Sequence, residues 1–257
     1  MPDPAPNARP PAPAPPPGWV VGPADFVGVG TARSGTSWWD SLIAAHPDVA
    51  RAPGVPKEIH FFDERWSDGL DDRAVAEYHA YFARPAGKRA GEWTPGYMLD
   101  AWTPRLLSRA APDARLLVLV RDPVERFRSG RTLAENRFTV GATARAAANA
   151  AFGRGLYADQ LLRVWRAFPP EQVLVLQYER CLRDARAELR RTFTFLGLDP
   201  AAADRLDVDA RVNASTGVKV GLSDWQEAVL VRRYAPENER LAALVPGIDL
   251  SLWARPS

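Results

Sequence analysis

The chain has few of the residues that build disulfides and metal sites. Its 257 residues include one cysteine, Cys181, and three dispersed histidines. A single cysteine excludes an internal disulfide framework and fits a reducing compartment, so we expect a cytoplasmic protein. We interpret Cys181 as a half-buried helix residue and not as a nucleophile. Scattered histidines offer no ligand spacing for a metal ion, so no metal cofactor is predicted.

The sequence also lacks a strong charge bias and long apolar runs. Its formal net charge is +2, which is too small to indicate a nucleic-acid partner. No apolar stretch reaches the length of a transmembrane helix or resembles the apolar centre of a signal peptide, so no membrane partner is expected. Lysine is scarce as well, because the basic residues are almost all arginine and the lysines are Lys57, Lys88 and Lys219.

Proline, in contrast, is abundant near the amino terminus. Residues 1–18 alternate proline with alanine and a few polar residues. Proline lacks an N–H group and fixes φ, so this stretch cannot form a helix or a sheet ladder. We therefore predict a disordered, proline-rich tail over residues 1–24 and one domain over residues 25–257. The apolar fraction of 46% is ordinary for a globular protein with a substantial core.

Apolar runs and helical patterns alternate along the rest of the chain. Residues 115–120 and 172–177 are near-continuous apolar runs, which are typical of parallel strands covered on both faces. The predicted strands cover 25–29, 57–62, 115–120 and 172–177. The predicted helices cover 36–46, 71–83, 102–110, 124–136, 141–151, 155–167, 180–196, 222–234 and 236–244. This alternation indicates an α/β fold with three layers, in which helices flank a central parallel β-sheet.

The most informative segment is the loop over residues 28–37. A short apolar strand precedes it and a helix follows, a layout that aims backbone N–H groups and a helix N-terminus at an anion. The spacing from Gly30 to Gly35 is that of a Walker A loop, but Thr36 stands where that motif has lysine, and the basic residue is Arg33. The loop therefore predicts a site for a phosphate-like anion other than ATP. An ordinary strand-to-helix turn is the alternative for this loop taken alone.

A second motif, residues 121–129, follows the third predicted strand. Ligand contacts gather beyond the carboxyl ends of parallel strands, which places Arg121 near an anion held by the first loop. Ser129 lies about two helical turns further on, roughly 12 Å by helix rise, so both residues flank one phosphate only if the chain curls between them. Asp122 is predicted to cap the following helix. The alternatives are a Walker B aspartate on magnesium and a structural salt bridge of Arg121.

The third motif is the segment of residues 57–63. If this stretch is extended, Glu58, His60 and Phe62 share one face. A carboxylate and an imidazole then lie together, and either could take a proton from a hydroxyl nucleophile within hydrogen-bond reach. The alternative is a structural strand with an exposed, charged start and a buried pair of phenylalanines.

The three motifs together resemble those of the sulfotransferases that use 3′-phosphoadenosine 5′-phosphosulfate (PAPS), especially heparan sulfate sulfotransferases and their bacterial relatives. Residues 31–38 are similar to the 5′-phosphosulfate loop of that family, residues 121–129 to its 3′-phosphate motif, and residues 57–63 to the segment with the catalytic glutamate. Shorter similarities extend from about residue 25 to Trp253. The resemblance implies a P-loop-like α/β fold and a bacterial-type enzyme. Its reaction would transfer a sulfuryl group to a hydroxyl of a small molecule or glycoside and release adenosine 3′,5′-bisphosphate (PAP).

The resemblance also implies roles for individual residues. Glu58 would be the general base, with His60 second in line, and Arg33 would neutralise the leaving phosphate. The residues implied to bind the nucleotide are Arg33, Ser34, Gly35, Thr36, Ser37 and Trp38 at the phosphosulfate, Arg121 and Ser129 at the 3′-phosphate, Tyr178 near the adenine, and Lys219 in the loop that closes over the 3′-phosphate.

Two residues depart from the pattern of the family. Arg33 stands where the loop often has lysine, and Trp93 stands where the heparan-type enzymes usually have lysine. An arginine still neutralises developing charge, whereas Trp93 argues against a polyanionic glycan acceptor. Two other functions stay open at this point. One is a P-loop kinase or NTPase that uses Mg·ATP through Asp122, and the other is a non-catalytic nucleotide-binding protein in which Glu58 is structural.

Overall fold

Four parallel strands form a sheet at the centre of the computed structural model, which describes residues 11–63, 65, 69–137, 144–210 and 221–254. The strands are β1 (Phe26–Gly30), β2 (Gly91–Trp93), β3 (Arg115–Val120) and β4 (Val173–Gln177). Their order in the sheet is β2–β1–β3–β4, and every neighbouring pair is parallel. The pairing of β3 with β4 runs without interruption from Leu116 opposite Val173 to Val120 opposite Gln177. The predicted parallel sheet is confirmed.

One predicted strand is wrong, and one strand was not predicted. Residues 57–62 form an irregular segment, because His60 has a left-handed backbone with φ of 56° and the N–H groups of residues 59–61 bond to side chains. The edge position beside β1 belongs instead to β2. With three residues, β2 is too short for a strand pattern to be recognised in the sequence. The other three predicted strands agree with β1, β3 and β4 to within one residue.

Helices cover both faces of the sheet. The helices within the described ranges are α1 (Thr36–Ala44), α2 (Asp72–His79), α3 (Thr103–Ala110), α4 (Pro123–Arg137), α5 (Ala144–Gly153), α6 (Tyr157–Trp165), α7 (Tyr178–Arg183), α8 (Ala185–Leu196) and α9 (Asp224–Leu244). Alternate strand side chains point to opposite faces. Val27 and Val118 pack with α2, α3 and α6 on one face, while Leu117 and Leu176 pack with α1 and α8 on the other. The predicted three-layer α/β architecture is confirmed.

Two helix predictions differ from the structure. The predicted helix 180–196 is divided into α7 and α8 at Asp184, whose backbone is not helical and whose side chain caps α8 by accepting a hydrogen bond from the N–H group three residues later. Conversely, α9 continues through Pro236, where a break was predicted. Tyr234 and Leu241 are buried on either side of this proline, so packing against the domain outweighs the helix-breaking tendency of proline.

The amino-terminal residues that the structure describes contact the domain. Val20 pairs with Arg84 in an isolated antiparallel bridge, Ala24 is buried, and Ala12 packs against the core. These contacts fall within the range 1–24 that was expected to form a tail, of which residues 1–10 lie outside the described residues. None of the described helices combines the length and the apolar character needed to cross a membrane.

Cys181 lies deeper than predicted. It is fully buried on α7, where the sequence suggested a half-buried position. Burial raises the pKa of its thiol well above the usual value, which keeps the sulfur protonated at neutral pH. A buried, protonated thiol is a poor nucleophile, so the interpretation of Cys181 as a structural residue agrees with the structure.

Candidate active site

The predicted site residues that the structure describes lie at one edge of the sheet, beyond the carboxyl ends of the strands. The loop of residues 31–35 joins β1 to α1, Arg121 follows β3, and Tyr178 follows β4. The 57–63 segment lies beside β2, where the N–H of Trp93 donates to the carbonyl oxygen of Lys57 at 3.1 Å. Parallel strands direct their carboxyl ends to the same edge, which is why three motifs far apart in the sequence come together.

The loop between β1 and α1 has the shape of an anion cradle. Arg33 and Gly35 have left-handed backbones, with φ of 70° and 87°, and such residues turn successive N–H groups toward a common concavity. No side chain caps the start of α1, so its first N–H groups point out of the helix toward the loop. A Cβ atom on residue 35 would come within 2.5 Å of the Tyr178 ring. The left-handed backbone and this close approach both require glycine.

The side chains of Ser34 and Trp38, two residues predicted to bind the nucleotide, bond to other parts of the protein. The hydroxyl of Thr31 donates to the carbonyl oxygen of Leu119 at 2.9 Å and lies 2.5 Å from the hydroxyl of Ser34. Trp38 is buried, and its Nε1 donates to the carbonyl oxygen of Val208 at 3.0 Å. The side chains of Ser34 and Trp38 therefore bind protein groups. What Ser34 can offer to an anion in the cradle is its backbone N–H group. Ser37 is half-buried in the first turn of α1.

Arg33, Arg121 and Ser129 meet beside this loop. Arg33 Nε donates to Ser129 Oγ at 3.0 Å, and Arg121 Nη1 donates to the carbonyl oxygen of Arg33 at 3.2 Å. The Arg121 guanidinium also lies over the Tyr178 ring, 5.1 Å from its centre, and 3.6 Å from the Glu125 carboxylate. Arg33 thus links the two residues, contacting Arg121 through its backbone carbonyl and Ser129 through its side chain, and the chain does not need to curl. The Arg33 guanidinium therefore contacts Ser129 of the 3′-phosphate motif, although the resemblance assigned Arg33 to the 5′-phosphosulfate.

Glu58 lies between two cations. Its Oε1 accepts a hydrogen bond from Lys57 Nζ at 2.8 Å, and its Oε2 lies 3.3 Å from His60 Nε2. His60 Nδ1 is in turn 2.7 Å from Asp63 Oδ2. The left-handed backbone of His60 turns its ring back toward Glu58, so the predicted pair exists although the strand expected to produce it does not. Glu58 keeps 39% of its side chain exposed, which leaves it within reach of an acceptor.

These contacts determine the charge states of the pair. Burial raises the pKa of Glu58, but hydrogen bonds from His60 and Lys57 outweigh it and hold the pKa at about 2. The pKa of His60 is raised to about 10, first by its hydrogen bond to Asp63 and then by Glu58, against the effect of burial. At neutral pH Glu58 is an anion and His60 a cation. An imidazolium has no lone pair to accept a proton, so Glu58 is the available base.

Buried hydroxyl groups that the sequence analysis did not identify hold the backbone of the 57–63 segment. The N–H of Ile59 donates to Thr94 Oγ1 at 3.1 Å, and the N–H of His60 reaches the same oxygen at 3.3 Å. The N–H of Phe61 donates to Tyr97 Oη at 2.8 Å. Thr94 and Tyr97 follow β2 and are both buried. The segment is therefore positioned by side chains of the edge strand region and not by a strand ladder.

Glu92 on β2 supports the same network from beneath. It is fully buried, and its carboxylate accepts hydrogen bonds from Thr94 Oγ1 at 2.5 Å and from Tyr78 Oη at 2.9 Å. The N–H of Ile59 also lies 3.3 Å from Glu92 Oε2. Burial raises the pKa of Glu92 to about 7, and the hydrogen bonds from Thr94 and Tyr78 only partly offset this. A glutamate between two strand residues gives no sequence signal of such a role.

Trp93 belongs to the core. It is fully buried, and its Nε1 donates to the carbonyl oxygen of Gly30 at 3.1 Å. A Cβ atom on Gly28 would lie 2.0 Å from its ring, so the indole occupies the space beside β1. A side chain enclosed in this way does not contact an acceptor directly.

Of the remaining predicted residues, Asp122 lies at the start of α4. Asp122 Oδ1 accepts a hydrogen bond from the N–H of Val124 at 2.8 Å, so it caps α4 as predicted. Lys219 lies in the range 211–220, outside the described residues. Across the part of the chain that the structure describes, no group of three or more His, Cys, Asp or Glu side chains could hold a metal ion.

Comparisons with known proteins find the family that the sequence resembles. Residues 23–213 match the family model described as the sulfotransferase domain. Heparan sulfate glucosamine 3-O-sulfotransferase 6 of Mus musculus is 34% identical over 189 residues, which are 69% of this chain and 53% of that protein. This chain thus spans about half the length of the curated relatives it matches.

Solved structures show the same fold. The sulfotransferase of Alicyclobacillus acidocaldarius superimposes with a TM-score of 0.70 and 26% identity, covering 91% of this chain and 100% of that one. A mouse sulfotransferase in complex with PAP superimposes with a TM-score of 0.50 and 18% identity, covering 88% of this chain and 86% of that one. The second similarity concerns the fold alone.

Proposed function

This chain belongs to the sulfotransferase family, and from that membership we propose that it transfers a sulfuryl group from PAPS to a hydroxyl of a small molecule or glycoside. The observation that carries the proposal is the meeting of Arg33, Arg121 and Ser129 beside the anion cradle. Two anion sites next to each other suit a nucleotide with phosphates at both the 5′ and the 3′ position. A nucleoside triphosphate needs only the first site.

The residues of the chain fit this donor. The backbone N–H groups of residues 34–37 and the N-terminus of α1 would hold the 5′-phosphosulfate, because they point into one concavity. Arg121, Ser129 and the Arg33 guanidinium would hold the 3′-phosphate, and Tyr178 would lie against the adenine. When bound, PAPS supplies a sulfuryl group whose bond to the 5′-phosphate oxygen breaks as the acceptor oxygen bonds to sulfur. The protein contributes positioning and charge stabilisation to this transfer.

Glu58 would take the proton of the acceptor hydroxyl. It is the anionic member of its pair with His60, it is partly exposed, and it lies on the same edge of the sheet as the cradle. His60 would orient the Glu58 carboxylate through the contact at 3.3 Å and would be oriented by Asp63 in turn. General base catalysis of this kind contributes about 10²- to 10⁴-fold to rate.

We also propose a location in a reducing compartment such as the cytoplasm, which the single, buried Cys181 supports. The acceptor we favour is uncharged or weakly charged. This preference rests on Trp93, which is enclosed in the core at the position where the resembling heparan-type enzymes usually have lysine.

The test is release of PAP from PAPS in the presence of a panel of phenols, alcohols and glycosides. We expect acceptor-dependent PAP release, reduced about 10²-fold or more in Glu58→Gln, with the affinity for PAP unchanged. Glu239→Gln, at an exposed position on α9, is the matched control and should retain full activity. Unchanged turnover in Glu58→Gln would remove Glu58 from the role of base. Absence of PAP release with every acceptor in the wild-type protein would contradict the proposed function.

A further inference from the structure

A second cation reaches the start of α1 from the 57–63 segment. Lys57 Nζ lies 3.4 Å from the hydroxyl of Thr36, the first residue of α1, and 2.8 Å from Glu58 Oε1. Its side chain is 19% exposed, so the ammonium group is largely enclosed between the loop and the carboxylate. This position places a positive charge at the mouth of the anion cradle.

The backbone of Lys57 is held firmly in this place. Its carbonyl oxygen accepts a hydrogen bond from the N–H of Trp93 at the end of β2, and the following residues are bonded to Thr94. Lys88, in contrast, does not reach the cradle. It lies just before the amino end of β2, at the opposite end of the sheet, and pairs with Asp48.

The arginine of the cradle loop is directed elsewhere. Arg33 Nε donates to Ser129 on α4, and its own carbonyl oxygen accepts from Arg121. Both contacts belong to the 3′-phosphate motif. The loop therefore supplies backbone N–H groups to the 5′ position, while its one cationic side chain is engaged at the 3′ position.

We propose, building on the function proposed above, that Lys57 is the catalytic cation at the 5′-phosphate and that Arg33 serves the 3′-phosphate. In the transfer, the acceptor oxygen bonds to sulfur and the bond between sulfur and the 5′-phosphate oxygen breaks. The electron pair of that bond stays on the phosphate oxygen, and the acceptor proton goes to Glu58. Lys57 keeps its protons and neutralises the charge that accumulates on the phosphate oxygen.

This assignment also explains how a carboxylate with a low pKa serves as a base. In the free protein, Lys57 and His60 both donate to Glu58 and hold its pKa low. A 5′-phosphate in the cradle would lie near Thr36, which the Lys57 ammonium already contacts, and would be a second anion for that ammonium. As the ammonium turns to the phosphate, Glu58 loses one of its two charged donors and becomes a stronger base. Donor binding would then prepare the base for the acceptor.

The experiment is calorimetric titration with PAP, 5′-AMP and 3′-AMP, which separates the two phosphate positions. Lys57→Met should weaken binding of PAP and 5′-AMP by about tenfold or more, the loss of one charge-assisted hydrogen bond, and leave 3′-AMP within about twofold. Arg33→Met should show the opposite pattern, with PAP and 3′-AMP weakened and 5′-AMP retained.

Two controls make the result specific. Lys57→Arg keeps the charge and should recover most of the affinity for 5′-AMP, while Lys88→Met removes a lysine away from the site and should change none of the three affinities. If Lys57→Met and Lys57→Gln both bind 5′-AMP like the wild type while Arg33→Met loses it, the inference is overturned and the proposed function stands. If the wild-type protein does not bind PAP, the proposed function and the inference fail together.

Discussion

Replacing Glu92 with glutamine removes the buried carboxyl group beneath the 57–63 segment and keeps its volume. The glutamine carbonyl can still accept a hydrogen bond from Thr94 or the N–H of Ile59, as Glu92 does. What the variant loses is a titratable group whose pKa in the folded protein is raised from 4.5 to about 7, chiefly by burial. The pH dependence of stability therefore reports directly on this carboxyl group.

The sign of the effect follows from the direction of the shift. Between pH 4.5 and about 7 the folded protein keeps a proton on Glu92 that the unfolded chain releases. Folding stability from this group is therefore greatest at low pH and falls as pH rises through that window. The shift corresponds to about 3 kcal/mol. The free energy of unfolding of Glu92→Gln minus that of the wild type should therefore rise by about this much as the pH increases from 4.5 to about 8.

Urea denaturation, followed by circular dichroism at several pH values across this window, measures the difference. The exposed Glu239→Gln variant is the control, and its free energy of unfolding should follow the wild-type curve at every pH. Curves for Glu92→Gln and wild type that stay parallel across the window would refute the reasoning, because they would mean that Glu92 ionises with an ordinary pKa. A wild-type protein that gains stability relative to Glu92→Gln as the pH rises would also refute it.

Three further predictions concern single positions. The imidazole of His60 should remain protonated through pH 8, since its pKa is about 10, and an NMR titration midpoint near 6.5 would contradict this. Gly28→Ala should lower the free energy of unfolding by about 1–3 kcal/mol through overpacking, because the new Cβ meets a buried ring at 2.0 Å, whereas Gly247→Ala meets nothing within 4 Å. Asp122→Asn, which can still cap at Val124, should leave nucleotide affinity unchanged in isothermal titration; loss of binding would favour the magnesium interpretation.

The anion loop and the arginine motif could be predicted because their signals are local. The end of a strand, a loop bounded by Gly30 and Gly35, and a helix start follow one another within residues 28–37, and the topology of a parallel sheet then places Arg121 at the same edge. The direction of the Arg33 side chain could not be predicted in this way. It depends on the left-handed backbone at Arg33 and on the position of Ser129 96 residues later.

The pair of Glu58 and His60 was predicted for a reason that the structure does not support. A period of two along a strand would align these side chains, but the pair forms because His60 adopts a left-handed backbone in an irregular segment. The support of that segment by Thr94 and Glu92 was beyond sequence reasoning, because a three-residue strand carries no detectable pattern and a buried glutamate contradicts the usual burial preferences.

The most direct test of the proposed nucleotide site is calorimetric titration of the wild-type protein and Arg121→Ala with PAP, beside ATP with and without magnesium. PAP should bind without a metal ion, more tightly than ATP under either condition. Arg121→Ala should weaken PAP binding by about tenfold or more, through loss of a charged contact to the 3′-phosphate. A preference for Mg·ATP, or PAP binding that Arg121→Ala leaves unchanged, would contradict a site built for a nucleotide with a 3′-phosphate.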